Sequence, residues 1–218
     1  MTDLLASINN YLVTAPWLEL IAMLLALAYV ILAAQGSIWC WPAAFISTAI
    51  YTIIFYDVSL LMESALNVYY LVMAVYGYWI WQKNSKSDQK QNTTALAIVS
   101  WQASWHLKAC LILSVISFIL GYIMANNTTA SFPYLDTFTT VFAVFTTYLV
   151  AQKVLENWLY WIIIDAVSIY LYIEKGLIPT TVLFIINVII AGYGYFKWQS
   201  IYRQAKAKNI DLSTIAAG

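Results

Sequence analysis

The sequence predicts an all-α polytopic membrane protein. Seven transmembrane helices form two parallel three-helix repeats joined by a linker helix, a 3+1+3 layout. Three observations point there. Of 218 residues, 63% are hydrophobic and only 9% charged, where soluble domains carry about 25% charged residues. Apolar segments close to the roughly 20 residues that cross a bilayer recur along the chain. The same unit also occurs twice at an ungapped offset of 117 positions, the difference between Ala34 and Ala151. That offset carries Gln35 onto Gln152, Trp41 onto Trp158, Ala49 onto Ala166, Leu60 onto Leu177, Leu66 onto Leu183 and Ala74 onto Ala191. It also carries Tyr76-Gly77-Tyr78 onto Tyr193-Gly194-Tyr195 and Trp81-Gln82 onto Trp198-Gln199.

The spans follow in order. Trp17–Ala34 is uniformly apolar and ends at Gln35-Gly36-Ser37. Trp41–Phe55 is short and ends before Tyr56-Asp57, and Leu60–Trp81 runs into a polar stretch from Lys83 to about Thr94, read as a short loop. Leu107–Ala125 is the unrepeated linker, closed by Asn126-Asn127. Phe138–Val150 follows Pro133, Trp158–Ile173 follows the polar run from Lys153 to Asn157, and Ile178–Lys197 follows Glu174-Lys175-Gly176. Glycine, proline and polar clusters sit where turns are needed. Trp and Tyr gather near the ends, as in interfacial belts. The chain divides into a first repeat (1–82), an inner loop and linker helix (83–130), a second repeat (131–200) and a tail (201–218).

Charge orients this layout. With seven spans, Lys83, Lys86, Lys90, Lys108, Lys153, Lys197, Arg203, Lys206 and Lys208 fall on one side and only Lys175 on the other. The positive-inside rule then places the N-terminus outside and the C-terminus in the cytoplasm. Ala95–Lys108, with Trp101 and Trp105, reads as an amphipathic helix on the inner surface. A unit of three spans reverses the chain's direction. One intervening span restores it, which makes the two units parallel, and parallel repeats in transporters hold their site at the repeat interface near the bilayer midplane.

Several classes are disfavoured. The N-terminus lacks the positive start and cleavage site of a signal peptide, and zero net charge gives no footprint for nucleic acid. Cys40 and Cys110 have no metal-ligand spacing and read as apolar fillers. His106, the one histidine, reads as interfacial. No nucleophile–base pairing or close pair of intramembrane carboxylates suggests an enzyme. A seven-helix photoreceptor needs a lysine midway along its last helix, and the last span has lysine only at its inner end, Lys197. No cofactor or metal site is expected.

Polar and aromatic residues fall on stripes at three- and four-residue spacing. The sixth span carries Trp158, Trp161, Asp165, Ser168 and Tyr172, and the second carries Trp41, Ala44, Thr48, Tyr51 and Phe55. The third carries Glu63, Asn67, Tyr70, Ala74, Gly77 and Trp81, and the seventh Thr180, Phe184, Asn187, Ala191, Gly194 and Trp198. All four stripes are expected to face the interface between repeats. Asp165 is the most telling residue. A mid-span acid costs about 2.5–3.5 kcal/mol on insertion scales, so it should face a cavity or a partner. It is either a neutral acid bonded to neighbouring Ser, Thr or Asn, or a counter-charge or acceptor for substrate, with proton coupling a further role. Glu63 is an entrance residue or snorkels to the interface. Asn67 and Asn187 bridge helices or bind a polar ligand. The aromatic set suits a flat, cationic ligand, since such a contact contributes about 2 kcal/mol or more when desolvated. Gly77 and Gly194 allow close helix approach.

These stripes resemble the nicotinamide riboside transporter family, PnuC, over nearly the whole chain. The resemblance is carried by Glu63-Ser-Ala-Leu-Asn67-Val-Tyr-Tyr70-Leu-Val-Met-Ala-Val-Tyr76-Gly77 and by Glu156-Asn157-Trp158-Leu-Tyr-Trp161-Ile-Ile-Ile-Asp165. Tyr172, Lys175-Gly176-Leu177 and the Gly194/Trp198 ending extend it. The family more often carries Asp and Gln where this chain has Glu63 and Asn67, and sister branches carry thiamine or riboflavin. The resemblance implies facilitated diffusion of nicotinamide riboside across the bacterial inner membrane, trapping by a cytoplasmic kinase, a SWEET-like layout, and a homo-oligomer such as a trimer. The expected substrate-binding residues are Glu63, Asn67, Tyr70, Tyr51, Trp158, Trp161, Asp165, Ser168, Tyr172 and Asn187. The facing aromatics suit a pyridinium ring, an asparagine its carboxamide, and an acid its charge or the ribose hydroxyls. No buried Arg or Lys cluster awaits a phosphate.

Overall fold

The computed structural model describes residues 17–57, 61–90, 98–128, 131–174 and 176–216, with side chains described at all of these but 61–63, 84–90, 179 and 208–216. Among the described residues are α1 (Trp17–Ala34), α2 (Cys40–Asp57), α3 (Leu61–Lys90), α4 (Ala103–Asn127), α5 (Pro133–Ala151), α6 (Asn157–Glu174) and α7 (Ile178–Ala216), and no strand. By length and composition α1, α4, α5 and the 180–207 part of α7 are apolar enough to cross a membrane. The remaining α2, α3 and α6 carry polar and aromatic stripes, which lower their hydropathy.

Helix ends depart from expectation where lipid no longer decides them. The stretch read as a loop from Lys83 continues α3 as far as Lys90, and α7 runs through most of the tail to Ala216. Neither extension contains a glycine or proline, so nothing in it breaks the backbone ladder. Proline instead marks starts. Pro133 occupies the first turn of α5, and Pro42 the first turn of α2. There the missing N–H costs nothing.

Of the expected amphipathic helix Ala95–Lys108, residues 98–102 form an extended strap and 103–108 are the first turns of α4. Residues 95–97 lie outside the described residues. The Val99 N–H donates to the Lys153 carbonyl at 3.1 Å, and the Leu155 N–H donates to Val99 at 2.8 Å. Ser100 Oγ and the Trp101 N–H both donate to the Glu156 carboxylate. The strap's polar groups are therefore engaged by the α5–α6 turn and are not available to a helix.

The principal helix pairings come in equivalent couples under the 117-residue offset. These are α1·α2 with α5·α6, α2·α3 with α6·α7, and α1·α7 with α3·α5. Only α4·α5 lacks a counterpart, as a linker helix should. The correspondence reaches single hydrogen bonds. After α1, the Gly36 and Ser37 N–H groups donate to Ala33 and Leu32. After α5, Lys153 and Val154 donate to Val150 and Leu149, each residue 117 further on. Both turns need a left-handed residue, Gly36 at φ 72° and Lys153 at φ 55°. Lys153, counted above among the basic residues of one side, is 2% exposed, with its ammonium 5.0 Å from the Trp81 ring centre.

The main core runs across both halves around Trp41, Trp81, Trp158 and Trp198, all buried. A second core joins α5 and α6 through Phe142, Leu149, Tyr160 and Ile164, with Cys110 and Leu113 of α4 packed against it. His106 sits beside this core. Its Nδ1 is 3.0 Å from the Tyr160 hydroxyl and its Nε2 lies 3.5 Å from Glu156, an ion-pair distance that is long for a hydrogen bond. The opposite face of α4, including Leu107, Leu111, Ile112 and Val115, is exposed.

Candidate functional site

A cavity of about 300 Å³ lies between the two halves. That is at the small end of the range for organic ligands, roughly 300–1,000 Å³. Its wall repeats the internal duplication. Val30 faces it with Thr147, Ala33 with Val150, Trp41 with Trp158, Ala44 with Trp161, Thr48 with Asp165, and Tyr70 with Asn187. Each pair is separated by 117 positions, so the cavity sits where the equivalent helices meet. Ala26, Tyr29, Ser47, Phe184 and Ala191 complete the wall, and α4 contributes no described residue to it.

The pairs are equivalent in place and unequal in chemistry. The second repeat presents Trp161, Asp165, Asn187 and Thr147 where the first presents Ala44, Thr48, Tyr70 and Val30. The acid, the carboxamide and Trp161 come from the second repeat, while the first contributes Tyr29, Trp41, Ser47, Thr48 and Tyr70. Asp165 is 5% exposed. Among the described residues no hydrogen bond or ion pair reaches its carboxylate, and none reaches the Asn187 amide. Nearby hydroxyls are committed to their own helices: Ser168 Oγ donates to the Ile164 carbonyl at 2.9 Å and Thr48 Oγ1 to Ala44 at 2.8 Å. Thr147 Oγ1 donates to Ala143 at 2.8 Å. They therefore leave the acid to the cavity, which argues against the reading of Asp165 as an acid bonded to neighbouring Ser, Thr or Asn. No lysine or arginine lies among the described lining residues.

Helix geometry explains which expected residues meet. Each stripe advances along its helix, and only part of it borders the cavity. Tyr70, Trp158, Trp161, Asp165 and Asn187 line it. Asn67 is half-buried on α3 and does not line it. Tyr51 stacks on Phe55 at 5.5 Å between ring centres, a turn beyond the wall. Ser168 is buried behind Asp165, and Tyr172 packs behind the lining residue Phe184 at 5.0 Å. The Glu63 side chain lies outside the described residues, as does Lys175. The sequence reading missed Tyr29, Ser47 and Thr147, and with them the contribution of α1 and α5. α1 carries no polar stripe, and the threonines of α5, Thr140 and Thr147 among them, were not read as one. The repeat offset was the available signal, since it pairs Val30 with Thr147.

Faces of six helices around a cavity that holds one acid, inside an apolar exterior, define a polytopic membrane protein with room for a small ligand. The chain belongs to the nicotinamide mononucleotide transporter family, whose sequence model matches residues 16–200. It is 25% identical to the nicotinamide riboside transporter PnuC of Escherichia coli, over 91% of this chain and 95% of that one. It is also 20% identical to the riboflavin/roseoflavin transporter RibM of Streptomyces davaonensis, over 84% of each chain. The crystal structure of the vitamin B3 transporter PnuC superposes with a TM-score of 0.70 at 18% identity, covering 92% of this chain and 88% of that one. That likeness establishes the fold.

Proposed function

We propose that this protein carries nicotinamide riboside across the bacterial inner membrane by facilitated diffusion. The two three-helix repeats, 1–82 and 131–200, rock about the cavity between them, and a cytoplasmic kinase traps the imported riboside. The N-terminus lies outside and the C-terminus in the cytoplasm. The observation that carries this reading is the joint placement of Trp161, Asp165 and Asn187 on the second repeat's side of the cavity. A pyridinium ring is a flat cation. It gains from an aromatic face and from a carboxylate that has no protein partner among the described residues. An asparagine amide complements the carboxamide, offering a donor and an acceptor. The family's description names a mononucleotide. A lining without a cationic side chain supports a nucleoside in preference, because a phosphate desolvated there would find no Arg or Lys.

Calorimetry on purified protein tests this. Trp161→Ala and Asp165→Asn should each weaken nicotinamide riboside binding about thirtyfold or more, the weight of about 2 kcal/mol, with thermal stability retained. Unchanged affinity in folded variants would refute the assignment. The likeness to RibM supports a second reading, a riboflavin carrier. Riboflavin has no fixed positive charge, so its binding should tolerate Asp165→Asn where nicotinamide riboside does not. The unpartnered Asp165 also supports proton coupling, in which case uptake into vesicles would respond to an imposed pH gradient.

A further inference from the structure

Beneath the cavity four tryptophans form a continuous chain across both halves. Trp41 and Trp158, at the starts of α2 and α6, make the cavity floor. Below them Trp81 meets Trp41 edge-on at 5.5 Å and 88°, and Trp198 meets Trp158 at 5.4 Å and 89°. Trp81 and Trp198 touch each other at 6.1 Å, closing the chain between the repeats. None is more than 2% exposed. We infer that these four residues are the cytoplasmic gate of the transport cycle, with Trp81 and Trp198, which do not line the cavity, as its latch. The assignment rests on the alternating-access reading and orientation proposed above.

Hydrogen bonding makes the latch specific. The Trp81 indole N–H donates to the Ala151 carbonyl at 3.1 Å, and the Trp198 indole N–H to the Ala33 carbonyl at 3.2 Å. Each bond leaves one repeat and ends on the last turn of the other repeat's first helix. The two bonds exist only while the halves are closed at this end. The floor indoles behave oppositely. The Nε1 atoms of Trp41 and Trp158 are buried with no hydrogen-bond partner among the described residues. An orphaned buried donor penalises the state that holds it. Water admitted by opening would relieve both floor donors while the two latch bonds are lost. The two effects oppose each other, so opening costs less than loss of the two latch bonds alone would demand.

Cys40 provides the reporter. It is fully buried beside Trp41 within the same core. In the full-length protein carrying Cys110→Ser, reconstituted in vesicles, an impermeant maleimide should reach Cys40 slowly, and only from the cytoplasmic face. Trp81→Phe and Trp198→Phe keep an aromatic side chain, smaller than the indole, and remove the donor. Each should raise that rate about fivefold, the weight of one net hydrogen bond. Tyr69→Phe is the control for general loosening, because it removes another α3-to-α5 bond, from the Tyr69 hydroxyl to the Val144 carbonyl at 2.9 Å. It should leave Cys40 labelling at the parent rate. Equal labelling in all variants, or acceleration in Tyr69→Phe matching that in Trp81→Phe, would overturn the latch. Labelling requires no ligand, so a failure to bind nicotinamide riboside would sink the substrate reading and leave the gate standing.

Discussion

Gly192 and Gly194 lie two positions apart on α7 and should respond oppositely to the same substitution. A Cβ on Gly194 would meet Trp158 ring carbons at 2.8, 2.8 and 2.9 Å, while one on Gly192 meets nothing within 4 Å. Carbon atoms rest at about 3.5–4.0 Å, so Gly194→Ala is short of room by about 0.7 Å (3.5 less 2.8) against a rigid buried indole. Overpacking of this kind costs about 1–3 kcal/mol, and alanine recovers about 1 kcal/mol of helix propensity. The net is a loss of about 1 kcal/mol at Gly194 and a gain of up to about 1 kcal/mol at Gly192. The equivalent site in the first repeat is tighter. A Cβ on Gly77 would meet Trp41 Cε2 at 2.5 Å, with two further ring atoms nearer still. Gly77→Ala should therefore cost about 2 kcal/mol. For a chain of this length, 1 kcal/mol moves Tm by roughly 2–4 °C. Thermal unfolding in detergent should rank the variants Gly192→Ala, Gly194→Ala, Gly77→Ala from highest to lowest Tm. Coincident melting of the two α7 variants would refute the claim that these glycines exist to seat the tryptophans.

Three further outcomes follow from the same geometry. Lys153 holds a left-handed φ of 55°, so Lys153→Ala should be less stable than Lys153→Gly by about 1 kcal/mol; equal Tm values would remove the strain argument. Tyr69→Phe deletes the hydroxyl donor to Val144 and should lower stability by about 1 kcal/mol, measured by the same unfolding. Ala44→Trp places a second indole opposite Trp161 in the cavity wall; calorimetry should show substrate binding abolished, and retained binding would mean that the ligand does not lie between these positions.

The fold was legible because membrane insertion imposes a simple rule on sequence. Every described helix falls where an apolar segment was expected, since backbone groups in lipid must pair within the segment. Outside lipid the rule lapses, which is why the extension of α3 to Lys90 and the strap before Ala103 were misread. The strap in particular is held by Lys153, Leu155 and Glu156, partners about 55 positions away that no local pattern reveals. Within the candidate site, three- and four-residue spacing gave faces of α2, α3, α6 and α7 that each contribute to the cavity wall. It could not say how far along each face the cavity extends, so Tyr51, Ser168 and Tyr172 were grouped with Trp158 and Asp165. The part of the wall formed by α1 and α5 carries mostly small or aliphatic side chains, such as Ala33 and Val150. Such residues look the same whether they face lipid, a neighbour or a ligand.

The mismatch between Ala44 and Trp161 also bears on how the two halves could be exchanged. A chain assembled from two copies of the second half would set indole against indole and acid against acid across the same hollow, crowding it and doubling its negative charge. Two copies of the first half would leave it without an anchor for a cation. On the function proposed above, the two halves complement each other, and neither half duplicated would reproduce the pairing of Trp161 and Asp165 with Ala44 and Thr48.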